Sequence, residues 1–168
     1  MEIYLIRHAI AEERGEEWPD DDLRPLTEEG VQRFTEAAQG LLTFEAPPER
    51  ILTSPLVRAR QTAELLAAAM HPRAPLAVME ELAPGNPPDA VLAQVRKLGG
   101  SGPLALVGHE PDLGHLAAHV VGASRAFPFK KGGMCRIDVA WGRPPRGTLV
   151  WFLPPKALRR LGRPIGGH

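Results

Sequence analysis

The sequence predicts a three-layer α/β/α sandwich with a mainly parallel sheet and an antiparallel edge. Three observations lead there. Short, fully apolar runs such as Leu104-Ala105-Leu106-Val107 read as strands buried on both faces, which is typical of parallel sheets covered by helices. Segments with apolar residues at helical spacing lie between those runs, so strand and helix alternate along the chain. The last two runs, Met134 to Ala140 and Thr148 to Leu153, flank a Gly/Pro/Arg turn and suit an antiparallel hairpin.

Each element has its own signal. Ile3 to Ile6 is a buried strand that delivers Arg7-His8 at its carboxyl end. A polar, acidic stretch from Glu12 to Asp22 reads as a solvated loop, with a recognition loop beside a functional site as the other reading. Thr27 then serves as an N-cap, with Glu28 and Glu29 in the first turn near the positive helix end. Val31, Phe34, Ala38 and Leu41 follow at helical spacing and are expected in the core. After Pro47-Pro48, the run Arg50 to Thr53 is a second strand, and Ser54-Pro55 reads as an N-cap followed by proline at the first helical position. That helix is expected to run to about Met70.

Leu76 to Met79 is a third extended segment, and Pro87-Pro88 opens a helix with Val91, Leu92, Val95 and Leu98 on one side. Gly108-His109 sits at the end of the Leu104 to Val107 strand, and a helix is expected from Pro111 to Val121. Beyond Pro154 a basic tail is expected to form a short helix and a loose end. With 168 residues and no internal repeat, a single domain over residues 1–168 is expected, its last part from about 154 a peripheral tail.

Lysine plus arginine equal aspartate plus glutamate at 20 each, which argues against a general nucleic-acid binder. No run approaches the ~18 apolar residues of a membrane span, and the amino terminus is too short in apolar residues for a signal peptide, so the cytoplasm is the expected location. Cys135 lies in a strand-like run and is expected to pack rather than react.

The chemistry gathers at strand ends, where open α/β sheets place their sites. Arg7-His8, the segment Ser54 to Arg58 and Gly108-His109 bring two arginines and two histidines toward one expected crevice. Such a set suits a phosphoryl group, whose spread negative charge is stabilised by fixed guanidinium and imidazole donors without a metal. A strand-tip histidine is a competent nucleophile when its other ring nitrogen is held in a hydrogen bond. Arg58, Gln61 and Thr62 fall on one face near the start of their helix.

These residues also carry a resemblance. Arg7-His8, Ser54-Pro55-Leu56-Val57-Arg58-Ala59-Arg60-Gln61-Thr62 and Val107-Gly108-His109, in that order, resemble the histidine phosphatase superfamily with its phosphoglycerate-mutase-like fold. The short chain, Arg-Pro-Leu-Thr-x-x-Gly at Arg24 to Gly30 and Gly-His-Glu-Pro resemble its SixA-type phosphohistidine phosphatases. The resemblance implies a phosphohydrolase with His8 as the nucleophile that becomes phosphohistidine, and with Arg7, Arg58 and His109 binding the phosphoryl oxygens. It implies a mid-chain acid for the leaving group, Glu81 or else Glu80. No metal and no cofactor are implied. The implied substrate is phosphohistidine on a signalling or carrier protein, a histidine-phosphotransfer domain among them. The family's usual glycine after Arg-His is Ala9 here, which bears on how closely the backbone approaches the phosphate.

Other readings stay open at this point. The same fold admits a broad phosphatase or mutase for small phosphate esters. A catalytically weak phosphoprotein-binding module would bind without releasing phosphate. His109, His115 and His119 supply histidines for a zinc hydrolase, although the His-Glu-x-x-His pattern is lacking.

Overall fold

In the computed structural model, which describes residues 1–163, the first apolar run forms β1 (Glu2–Arg7). Successive side chains of a strand point to opposite faces. Here both faces are covered: Ile3 and Leu5 join one apolar cluster, Tyr4 and Ile6 the other. The chain continues through α1 (Glu28–Leu41), β2 (Arg50–Thr53), α2 (Val57–Ala68), β3 (Leu76–Val78), α3 (Pro88–Leu98) and β4 (Leu104–Gly108). It ends with α4 (Asp112–Val121), β5 (Met134–Ala140), β6 (Arg146–Leu153) and α5 (Pro155–Leu161).

The layers follow from which cluster each helix joins. Phe34 and Leu41 of α1, Ala63 and Leu66 of α2 and Leu158 of α5 pack on the Tyr4/Ile6 side. Val91 and Val95 of α3 and Leu113 and Leu116 of α4 pack on the Ile3/Leu5 side. The strand order is β3-β2-β4-β1-β5-β6. The first four of these run parallel, and β5 is antiparallel to both β1 and β6. The reversed strand is therefore one in from the edge. The expected three-layer sandwich is the fold found.

Thr27 caps α1, its hydroxyl accepting the Gly30 N–H at 2.9 Å. Val31, expected in the core, is 39% exposed. The buried stripe runs through Gly30, Phe34, Ala37, Ala38 and Leu41, which turns Val31 to the rim. Gly30 holds the place in that stripe nearest the active end because a Cβ there would lie 2.0 Å from the Ile10 carbonyl oxygen. Only glycine lets α1 approach so closely. The same holds where α5 crosses α1: a Cβ on Gly40 would meet the Leu158 carbonyl oxygen at 1.9 Å.

Two further expectations are corrected. Ser54 does not cap α2, which begins at Val57 with no side-chain cap bond, because the serine hydroxyl is turned to another partner described below. Leu98, the last residue of α3, is 43% exposed, one turn beyond the packed residue Val95. The expected loose end beyond residue 163 lies outside the described residues. Among them no helix is long and apolar enough to cross a membrane.

Register brings the strand ends level. Arg7 pairs with Gly108, and Thr53 with Val107. The ladder continues one step past each strand, with His8 N–H on the Gly108 carbonyl and Ser54 N–H on the Val107 carbonyl, both at 3.0 Å. His8, Ser54 and His109 are thus set side by side by backbone pairing alone.

Candidate active site

A cavity of about 470 Å³ opens over those strand ends, with Arg7, His8, Arg58 and His109 in its wall. A second cavity of about 450 Å³, at the amino ends of β2 and β3, is lined by prolines and Leu42, Met70 and their neighbours and holds none of these groups. The two imidazole rings lie with centroids 5.2 Å apart.

His8 is buried, and its Nδ1 lies 2.7 Å from the Ala9 carbonyl oxygen. A carbonyl only accepts, so Nδ1 carries the hydrogen and donates. The ring is neutral because burial pushes its pKa down to about 3, with the Ala9 carbonyl opposing and the positive guanidiniums of Arg58 and Arg7 adding to the effect. In the neutral ring Nε2 therefore keeps a free lone pair. Burial likewise pushes His109 down to about 3, reinforced by Arg58 and opposed by Asp21.

The arginines are held from behind. Arg7 donates through Nη1 to the Phe129 carbonyl at 2.7 Å. Arg58, 3% exposed, donates through Nη1 to the Asp21 carbonyl at 2.8 Å and through Nη2 to Asp21 Oδ2 at 3.0 Å. Three buried side-chain polar atoms lack any partner among the described residues: Arg7 Nε, Arg58 Nε and His109 Nδ1. All three belong to residues of the cavity wall. An unsatisfied buried donor costs roughly 1–3 kcal/mol, more when charged, so such a cluster in one cavity marks a place for an anion.

The helix face noted in the sequence has a supporting task. Thr62 Oγ1 accepts the Ala9 N–H at 3.0 Å and donates to the Arg58 carbonyl at 2.7 Å. Gln61 Oε1 accepts the Leu26 N–H at 2.7 Å. Together they fasten the chain after His8 and the Arg24 to Gly30 segment onto α2. Ala9 has no positive φ, as among the described residues only glycines do. Its amide points at Thr62 rather than into the cavity.

Several site groups escaped the sequence reading. The acidic stretch takes the second of its two readings, a loop beside the site: Glu12 and Glu13 line the cavity, and Asp21 binds Arg58, Arg24 and Arg14. Arg24, 8% exposed, also lines it and donates to the Glu12 carbonyl at 2.6 Å. Glu110 is in the wall as well, its carboxyl pushed up by burial while the Gly114 N–H and Arg7 oppose. The only sequence signal for Asp21 was its place in an acidic run. Glu81 is not in this wall; it lines a much smaller adjoining cavity together with His109, Asn86 and Asp112. His119 is paired with Asp89 at 3.0 Å, and His109 faces Ser54.

A parallel-sheet crevice furnished in this way defines an α/β phosphoryl-transfer enzyme. Comparisons with known proteins agree. The profile of the histidine phosphatase superfamily (branch 1) matches residues 3–84. An uncharacterized protein of Picosynechococcus sp. is 46% identical over 122 residues, 70% of this chain and 71% of that protein. Phosphohistidine phosphatase SixA of Escherichia coli is 26% identical over 161 residues, 95% of this chain and 97% of that protein. The structure of the protein histidine phosphatase SixA complexed with tungstate superposes with a TM-score of 0.83 at 26% identity, covering 94% of this chain and 99% of that one. The chain belongs to the histidine phosphatase superfamily, on its SixA-type side, and is a phosphatase of the metal-independent kind.

Proposed function

We propose that the chain removes phosphate from phosphohistidine on a protein, through a covalent intermediate on His8. The observation that carries this reading is the pairing of one free lone pair, on His8 Nε2, with two unpartnered guanidinium N–H donors, Arg7 Nε and Arg58 Nε, and the unpartnered His109 Nδ1, all on residues of the same cavity wall. Nε2 attacks phosphorus, the bond from phosphorus to the leaving nitrogen breaks, and that nitrogen takes up a proton. Arg7, Arg58 and His109 stabilise the charge on the transferring oxygens. Water then attacks the phosphorylated His8, giving inorganic phosphate and the free imidazole.

A protein substrate is favoured by the likeness to the E. coli phosphohistidine phosphatase SixA, whose length this chain matches nearly end to end. The tungstate bound to the related structure is a tetrahedral oxyanion, as a phosphoryl group is. A histidine-phosphotransfer domain in a cytoplasmic signalling or carrier system is the donor class that goes with this reading. Glu81 is kept as the candidate for the leaving-group proton although it lies in the small cavity that meets the site only at His109; a protonated imidazole departs readily and places little demand on it.

The test is phosphate release, in excess chelator, from a histidine-phosphorylated protein and from an aryl phosphate. Wild type is expected to turn over both, the protein faster, and His8→Ala to lose at least about a thousandfold. Undiminished release by His8→Ala would remove His8 as nucleophile, and a preference for small esters would remove the protein substrate. Glu81→Gln is expected to slow ester hydrolysis more than phosphohistidine hydrolysis; equal effects on both would take the acid role from Glu81.

A further inference from the structure

A buried hydroxyl must give its proton to some acceptor, and for Ser54 the structure offers one. Ser54 follows β2 and has no solvent exposure (0%). Its Oγ accepts the Leu56 N–H at 3.3 Å, a contact that uses an oxygen lone pair and leaves the hydroxyl proton to be placed. The other partner within hydrogen-bond distance is His109 Nε2 at 2.8 Å. The serine is also released from helix capping, since α2 begins at Val57 without any side-chain cap bond.

Two arrangements are possible for a neutral His109. If Nε2 carried the hydrogen and donated to Oγ, the serine proton would be stranded without an acceptor. If Oγ–H donates to Nε2, both Oγ and Nε2 are satisfied and Nδ1 carries an N–H. That N–H is then one of the three partnerless donors of the cavity wall. Toward a phosphoryl dianion a lone pair repels and an N–H attracts, so the choice decides whether His109 helps or hinders.

We propose that Ser54 is a positioning residue whose hydroxyl donates to His109 Nε2, fixes the Nδ1–H tautomer and so makes His109 a donor to the phosphoryl group. The inference rests on the proposed phosphoryl site, but its test does not need turnover. Ring nitrogens of the full-length protein, labelled at histidine, are read by nitrogen-proton NMR at neutral pH without substrate, with His109→Gln identifying the His109 signals. Wild type is expected to show a protonated Nδ1 and an unprotonated Nε2. Ser54→Ala is expected to lose that preference and to bind tungstate about tenfold more weakly, the scale of one hydrogen bond to a charged group. Ser54→Thr, which keeps the hydroxyl, is expected to restore the tautomer.

A protonated Nε2 in the wild type, or an Nδ1–H tautomer unchanged in Ser54→Ala, would overturn the role of Ser54. Where a variant fails to fold, the wild-type spectrum still decides. Loss of phosphohistidine turnover with the Nδ1–H tautomer intact would count against the proposed function instead.

Discussion

Thr62→Val removes one hydroxyl and almost no volume, and the structure states what that hydroxyl does. Thr62 is fully buried, accepts the Ala9 N–H at 3.0 Å and donates to the Arg58 carbonyl at 2.7 Å. The Arg58 carbonyl lies within α2 and keeps the helix's own bond, so its loss is small. The Ala9 amide is left buried with nothing to donate to, which costs about 1–3 kcal/mol. For a chain of this size each kcal/mol lowers Tm by about 2–4 °C, so a fall of about 2–12 °C is expected. Ala9 also carries the carbonyl that orients His8, so a shifted residue 9 misplaces Nε2. A drop in kcat/KM of about ten- to a hundredfold should accompany the stability loss. Thermal and denaturant unfolding, with phosphate release on the same samples, give both numbers, and Thr62→Ser should restore both. A Thr62→Val protein within about 0.5 kcal/mol of wild type and fully active would refute the assignment of Thr62 as the anchor of the His8 turn.

Stability should depend on pH through the two histidines. Both are pushed down to about 3 from an ordinary 6.5, so on acidification the unfolded chain takes up their protons first. Their contribution is complete above about pH 6.5 and declines toward pH 3, at up to roughly 1.4 kcal/mol per pH unit for each histidine. Denaturant unfolding between pH 4 and 8 in steps of about one unit should show a shallower slope in the double variant His8→Gln, His109→Gln; an unchanged slope would mean that neither titrates as its burial requires. Asp21→Ala removes the carboxylate shared by Arg58 and Arg24, while the Asp21 carbonyl still accepts from Arg58. Asp21 is one-third exposed, so a loss of about 1–2 kcal/mol, between surface and buried pairs, is expected, together with a rise in KM larger than the fall in kcat. Unchanged KM would show that Arg58 needs no such support.

Legibility in the sequence tracked the range of the interactions. The apolar runs of β1 and β4 announced strands buried on both faces, and their polar successors, Arg7-His8 and His109, had to emerge at the carboxyl ends. Thr27 was readable as a cap because its partner, Gly30, is three residues away. Ser54 was misread as a cap because Ser-Pro has that local meaning, while its partner His109 lies 55 residues on. Asp21 was lost in an acidic run because nothing local distinguishes it from Asp20 and Asp22. Its partner Arg58 is 37 residues distant. Val31 fitted the helical period, yet the close approach of Gly30 to Ile10 turned the stripe.

By itself the sequence determined the layer architecture, the strand tips and the residue types gathered there, since burial pattern and chain direction are local properties that follow from side-chain alternation and helical period. Only the tertiary structure decided which groups hold which. The crossovers that place β4 between β2 and β1 bring Ser54 against His109, and the loop before α1 delivers Asp21 to Arg58. Hydrogen bonds of that kind depend on distances of a few tenths of an ångström between segments far apart in the chain, and no local pattern encodes such distances.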